Sequence, residues 1–189
     1  MKNSGLKRGA DCLLAIGGIV ILLPVFGAAT VLCAASGEGI LYRQKRIGYG
    51  GAPFVVYKFR TMRKDAPVLP RDRLDSPERY YIPGGAFLRT TGIDELPQLF
   101  NVLKGEMSLI GPRPLLPAEE TVHRLRERCG IYSLRPGITG LAQLCGDPPP
   151  QVKVRLDRLY LENVSLRLDA VIAFSTVSLL GNRLIRRKK

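Results

Sequence analysis

The chain has 189 residues and a formal net charge of +13. That suits one domain with appendages, and it calls for an anionic partner, whether nucleic acid, a phosphorylated substrate or an acidic membrane surface. No RNA-recognition signature, zinc-finger spacing or basic heptad pattern is present and tryptophan is absent, so nucleic acid is the weaker reading. The single histidine, His123, stands beside Arg124, Arg126 and Arg128 on what reads as a solvated helix, which argues against a His-based triad or a zinc site.

At the amino terminus, Lys2, Lys7 and Arg8 precede an apolar run from Cys12 to about Ala35. At about 1.5 Å per helical residue this is long enough to cross a bilayer core of about 30 Å. Gly17, Gly18, Pro24 and Gly27 interrupt the run, and Arg43, Lys45 and Arg46 follow it, so both flanks are basic. If both flanks prefer the cytoplasm, the segment enters and returns, with Pro24 at the bend. A signal peptide is the competing reading, although the run is longer than that role needs. The four cysteines, Cys12, Cys33, Cys129 and Cys145, lack metal-ligand spacing and read as small buried hydrophobes in a reducing compartment.

Leu41 to Met62 predicts a β-hairpin around Ile47-Gly-Tyr-Gly-Gly51. Arg43, Lys45, Arg46, Lys58 and Arg60 decorate it and form either a solvated face or a floor for phosphates. Lys64 to Pro83 is polar and proline-rich, a surface loop. Leu96, Leu99, Phe100 and Leu103 then recur at helical spacing, with Pro97 suited to a first turn and Gly105 to a C-terminal cap. Asp94 and Glu95 fall at that helix start, which favours anions and phosphate–metal assemblies. Neighbouring helical residues point about 100° apart, so the two carboxylates are expected to hold different jobs. The plainer alternative is a helix cap with a first-turn charge.

Met107 to Pro117 reads as a turn region whose prolines at 112 and 114 hold Arg113 rigidly. Ala118 to Arg128 predicts an exposed helix of mixed charge. Arg135 to Gln143 reads as a loop whose glycines let backbone approach a ligand. Val152 to Leu161 is a further helical pattern, broken at Asn163–Ser165. Leu166 to Ile185 has an uncharged core too short to span a bilayer, so an interfacial helix is expected, with Arg186 to Lys189 meeting anionic lipid heads. An ordinary core helix is the alternative.

Leu41-Tyr-Arg-Gln-Lys-Arg-Ile-Gly48, Tyr57-Lys-Phe-Arg-Thr-Met62, Arg89 to Lys104, Gly111-Pro-Arg-Pro114 and Arg135-Pro-Gly-Ile-Thr-Gly-Leu-Ala-Gln143 stand in this order. Together they resemble the monotopic phosphoglycosyl transferases, bacterial sugar transferases, over nearly the whole chain. The resemblance implies transfer of a sugar phosphate from a nucleoside diphosphate sugar to polyprenol phosphate at the cytoplasmic face of the inner membrane. It assigns Asp94 as nucleophile, with a covalent phosphosugar–aspartate adduct, and Glu95 as metal partner or proton handler. Asp94 and Glu95 would hold Mg2+, and Lys58, Arg60, Arg89, Arg113 and Arg135 match basic positions expected at phosphate or substrate. Two departures from the family pattern are Leu23 before Pro24, where serine is usual, and Asp147 after Gly146, where arginine is usual.

The expected architecture is α+β and mostly helical. It has a re-entrant membrane helix over 1–38, a catalytic domain with a small hairpin over 39–165, and an interfacial amphipathic helix with a basic tail over 166–189. Two rival classes are a membrane-bound basic scaffold without chemistry and an anchored nucleic-acid-binding protein. The first has no need of adjacent acids among the bases, and the second predicts binding that weakens steeply with salt.

Overall fold

The computed structural model describes residues 5–67, 76–146 and 148–186, with side chains described through residue 182. Lys2, the middle of the Lys64–Pro83 loop, Asp147 and the basic side chains of the carboxy-terminal tail lie outside the described residues. The architecture is mostly helical α+β.

Helix α1, Gly5–Ile21, and helix α2, Leu23–Ala35, meet at a bend of 65°. Pro24 lies in the first turn of α2, where its ring removes the N–H that would otherwise continue the α1 hydrogen-bond ladder. No single helix among the described residues is long and apolar enough to cross a membrane, but this bent pair passes such a test together. Leu13, Leu14, Val20, Ile21, Leu23 and Val31 are exposed along the pair.

Strands β1, Leu41–Ile47, and β2, Pro53–Phe59, form the expected antiparallel hairpin, with Leu41 opposite Phe59 and Ile47 opposite Pro53. The chain continues through α3, Gly85–Thr91, and a 3-10 turn at Ile93–Glu95 into α4, Gln98–Lys104, which Gly105 caps at φ 86°. Asp94 and Glu95 therefore occupy the 3-10 turn that leads into the helix. The buried face of α4 is also rotated from the expected one. Gln98, Leu99, Asn101 and Val102 point inward while Phe100 is exposed.

The region around Arg113 holds a short parallel pair absent from the sequence expectation, β3 (Ser108–Ile110) beside β4 (Gly137–Thr139). The glycines here bring backbone close to backbone. A Cβ on Gly137 would come within 2.1 Å of the Gly111 nitrogen, and one on Gly140 within 2.1 Å of the Gly111 oxygen.

Helix α5, Glu120–Arg128, is not the fully exposed helix expected from its mixed charge. Arg126 is 2% exposed, and its Nε and Nη2 donate to Asp157 Oδ2 at 2.9 and 2.6 Å. His123 is also engaged, bonding to the Tyr132 hydroxyl and lying 2.8 Å from the Leu116 carbonyl. Alternating charge had disguised an inward-facing side of the helix. Of the cysteines only Cys33 is buried, and Cys145 is exposed.

After α6, Leu141–Leu144, come α7, Pro150–Glu162, and α8, Leu166–Arg186. Helix α8 turns Ile172 into the core and leaves Val171, Phe174 and Val177 exposed. Its other anchor is ionic. Lys7 Nζ lies 2.6 Å from Asp169 Oδ2 and 3.8 Å from Asp11 Oδ1, while the Tyr160 hydroxyl donates to Asp169 Oδ1 at 2.6 Å. Ser108 Oγ donates to Asp11 Oδ2 at 2.7 Å. Lys7 and Arg8, expected only as a basic flank on the cytoplasmic side, also hold α1 to the domain, since Arg8 Nη2 donates to the Leu103 carbonyl at 3.1 Å.

Lys7→Met would leave two buried carboxylates without their cation. We expect a loss of about 3 kcal/mol or more in detergent-solubilised unfolding, with Lys7→Met/Asp169→Leu costing less than the sum of its singles. Additive costs would show that the network does not act as a unit.

Candidate active site

The site is assembled where the hairpin meets α4, and one buried side chain sets the contact. Asn101 is fully buried, receives the Tyr57 N–H on Oδ1 at 3.2 Å and donates from Nδ2 to the Val55 carbonyl at 2.7 Å. This clamps α4 beside β2. Lys58 on β2 is thereby brought to the 3-10 turn, with Nζ 2.5 Å from Glu95 Oε1.

A small open cleft lies here, with Arg46, Lys58, Glu95, Gln98 and Arg113 on its wall and Val56 and Ile138 among its apolar lining. The segment carrying Arg113 is held at four successive carbonyls. Pro112 accepts from Gly137 N–H at 2.9 Å, Arg113 from Arg126 Nη1 at 2.7 Å, Pro114 from Arg46 Nη1 at 3.2 Å and Leu115 from Ile47 N–H at 2.9 Å. The rigidity expected from two prolines is therefore reinforced by donors from three other parts of the chain.

The adjacent carboxylates differ in electrostatics. Asp94 is 8% exposed, and burial, followed by the nearby Glu95 charge, raises its pKa to about 6, against opposing pulls from Lys58 and Arg89. Burial also works against ionised Glu95, but Lys58 and then Arg113 outweigh it and hold that carboxyl below its ordinary value. Asp94 is the underpaired carboxylate and Glu95 the paired one. Among the described residues Asp94 forms no ion pair, and its carboxylate accepts a hydrogen bond only from its own backbone N–H. Its hard oxygens suit a small divalent cation, and no group of three His, Cys, Asp or Glu side chains stands ready to complete a cage among the described residues. A cation at Asp94 and Glu95 would therefore draw its remaining ligands from water and substrate phosphate.

The other basic positions singled out from sequence do not converge equally. Arg113 and Lys58 line the cavity. Arg89 lies over the Tyr81 ring at 5.6 Å and approaches Met62 Sδ at 2.9 Å, yet its charge reaches Asp94. Arg60 turns away, donating to the Leu41 carbonyl at 3.3 Å and lying over Tyr42 at 5.8 Å. Arg135 donates from Nε to the Gly105 carbonyl at 2.8 Å and lies over Tyr49 at 5.3 Å. Sequence reasoning missed Gln98 and Asn101. The available signal was two amides at i and i+3 within an apolar helical stretch, a spacing that places both on one face.

Residues 2–183 match the family described as bacterial sugar transferase. An uncharacterized sugar transferase of Haemophilus influenzae is 36% identical over 94% of this chain and 41% of its own length. The UDP-N-acetylgalactosamine-undecaprenyl-phosphate N-acetylgalactosaminephosphotransferase of Aeromonas hydrophila is 35% identical over 91% of this chain and 43% of its own length. The exopolysaccharide production protein ExoY of Sinorhizobium fredii is 36% identical over 90% of this chain and 83% of its own length. The chain thus spans less than half of the first two relatives and most of the third.

Raising the Asp94 pKa from 3.8 to about 6 means that the folded protein binds this proton more tightly than the unfolded chain does. The stability contributed by the protonated form is full below pH 4, falls as pH rises, and is lost above about 6. In EDTA, Asp94→Asn is expected to be more stable than the parent at pH 8, by up to about 3 kcal/mol, with the difference closing toward pH 4. Thermal melts across that range test this, and a pH-independent difference would remove the buried charge as its cause.

Proposed function

The chain belongs to the bacterial sugar transferases, and on that premise we propose that it transfers a sugar 1-phosphate from a nucleoside diphosphate sugar to polyprenol phosphate. UDP is the expected nucleotide, because the Aeromonas relative and a Caulobacter vibrioides relative, 37% identical over 90% of this chain, are named for UDP-sugars and undecaprenyl phosphate. Polysaccharide or glycoconjugate assembly is the process served. The observation that carries this reading is the unequal pair at 94 and 95, an underpaired buried carboxylate beside a lysine-held one, next to Arg113.

A carboxylate oxygen of Asp94 attacks the sugar-bearing phosphorus. A new P–O bond forms to Asp94 as the bond to the nucleotide phosphate breaks, and nucleoside monophosphate leaves with the electron pair. An oxygen of polyprenol phosphate then attacks the same phosphorus, frees Asp94 as a carboxylate and gives polyprenol diphosphate sugar. Forming an acyl phosphate divides one transfer between differently solvated partners into two easier steps. Ionised Asp94 is required, and burial reduces the solvation that would blunt its oxygen. Lys58 keeps Glu95 charged and in place, while Arg113 supplies fixed positive charge where the phosphoryl group moves. Asp94, with Glu95, fits Mg2+, which when bound would neutralise diphosphate charge and steady the leaving phosphate.

The setting proposed for this chemistry is the cytoplasmic face of the bacterial inner membrane. The bent α1–α2 pair enters and returns, and the exposed apolar side chains of α1, α2 and α8 face lipid. Both ends of the pair being tied to the same domain supports a re-entrant course. Lys7 binds Asp169 at one end, and Cys33 Sγ meets the Arg60 carbonyl at 3.2 Å near the other. Anionic lipids are the partner for the basic tail. Nucleic acid has no place in this reading.

Single-turnover incubation with labelled nucleotide sugar and no polyprenol phosphate is expected to release about one nucleoside monophosphate per site, with an adduct on the Asp94 peptide. Asp94→Asn abolishes both, and release strictly dependent on polyprenol phosphate would indicate direct transfer.

Arg113→Lys is expected to slow turnover by about a hundredfold, because ammonium cannot reproduce the planar two-pronged grip of guanidinium on phosphate. Arg124→Lys on the exposed face of α5 is expected to leave turnover unchanged, and equal activities would remove Arg113 from the chemistry.

For topology, Gly5→Cys places a thiol where an added Cβ meets no atom within 4 Å. An impermeant thiol reagent should spare it in intact cells and label it after permeabilisation. Labelling in intact cells would mean that the segment crosses.

A further inference from the structure

Gln98 and Arg46 line the cavity beside Arg113, yet the transfer proposed above uses neither. Gln98 is 3% exposed, and its amide nitrogen lies close enough to Glu95 to help hold that charge but makes no well-formed hydrogen bond among the described residues. A buried donor left unmade is costly in a folded protein, and its position in a cavity wall points to a ligand acceptor. Arg46 donates to the Pro114 carbonyl at 3.2 Å and to Gln44 Oε1 at 2.7 Å. Burial, and then repulsion from Arg113, brings its pKa down to about 10, so it remains charged at neutral pH beside a second guanidinium.

Arg46, Lys58 and Arg113 present three positive charges, and Glu95 is the one carboxylate on the cavity wall. Lys58 already holds Glu95 at 2.5 Å. Of the other nearby carboxylates, Asp94 feels Lys58 but loses its charge once taken up in the adduct, and Glu119 accepts the Leu116 N–H at 2.6 Å and lies 3.9 Å from Lys153. With Asp94 held in the adduct the wall is therefore short of about two negative charges, and it includes a neutral donor. Each phosphoryl group of a nucleoside diphosphate sugar carries one negative charge, whereas a terminal phosphate monoester carries about −1.5 to −2 at neutral pH.

We propose that Gln98 and Arg46, together with Arg113, seat a dianionic phosphate monoester. This rests on the transfer reaction above, in which two such groups occur, the departing nucleoside monophosphate and the phosphate of the polyprenol acceptor. The Gln98 amide donates to a non-bridging oxygen. The paired guanidiniums balance the second charge, which a diester would not bring.

The test uses the full chain in lipid nanodiscs, with Gln98→Met to remove the donor at similar volume and Gln98→Glu to replace it with negative charge. Binding of nucleoside monophosphate is measured in an Asp94→Asn background, and the apparent KM for polyprenol phosphate is measured with Asp94 intact. A seat for the leaving group weakens monophosphate binding by about tenfold or more, with the glutamate more damaging than the methionine. A seat for the acceptor leaves that binding unchanged and raises the KM for polyprenol phosphate by a similar factor. If folded variants change neither quantity, the proposal is overturned.

Should both variants fail to fold, the unaltered protein supplies the answer. Inorganic phosphate should protect Arg46 and Arg113 from phenylglyoxal while exposed Arg43 still reacts, and failure to protect either arginine overturns the seat. Failure of the unaltered protein to form an adduct would count against the aspartyl mechanism, and the protection experiment would still judge the seat.

Discussion

Lys7, Asp11, Tyr160 and Asp169 form a buried network that joins the first helix to the last two, and the placement of the other elements depends on it. Removing such charges from water costs several kcal/mol each, repaid only when partners sit at the right distance and the remaining lone pairs are filled. Tyr160 and Ser108 fill them. The network therefore tolerates little sliding of α1 relative to α8. Apolar packing alone, being non-directional, would not impose the same register. With α1 fixed, Arg8 reaches the carbonyls at the end of α4, and the helix carrying the site is tethered to the amino-terminal segment.

The same economy of direction builds the site. Asn101 uses both ends of its amide to lock β2 against α4, which sets Lys58 opposite Glu95. Neighbouring carboxylates then part company, because the nearby cation engages one of them directly and burial acts on both. Glu95 stays ionised, while Asp94 retains a strained charge that an incoming phosphorus or a divalent cation would relieve. Such a charge is a burden on stability and an asset to a nucleophile, which is a common trade at sites that do chemistry.

Arg113 illustrates how rigidity is distributed. Two prolines limit its backbone, but the four carbonyls from Pro112 to Leu115 are satisfied by β4, α5, β1 and the hairpin arginine. Close approach at Gly111, Gly137 and Gly140 brings β3 and β4 together, so a side chain at any of these glycines would push apart the strands beside Arg113. Arg126 and Asp157 stand behind this loop as a buried pair, linking α5 and α7 to the position of a single guanidinium.

What the sequence determined by itself was local. Hydrophobic period, turn residues and proline position announced the hairpin at 41–62, the bend at Pro24, the Gly105 cap and the helices at 152–161 and 166–185. Each depends on neighbours within a few residues, so each is legible in one dimension. The ordered motifs carried the family, and the adjacent acids marked the candidate site. Tertiary structure alone decided which polar residues face inward. Charges on α5 looked solvated until Asp157, thirty-one residues away from Arg126, was brought against it. Likewise Lys7 and Arg8 looked like a solvated basic flank until Asp169 and the Leu103 carbonyl supplied partners. The β3–β4 pair escaped notice because three-residue strands leave almost no periodicity, and their pairing depends on glycines that only a second backbone makes necessary. Long-range partnership, not local preference, also separated Lys58 and Arg113 from Arg60 and Arg135, since the side-chain chemistry is similar and only the surrounding fold sets where each cation points.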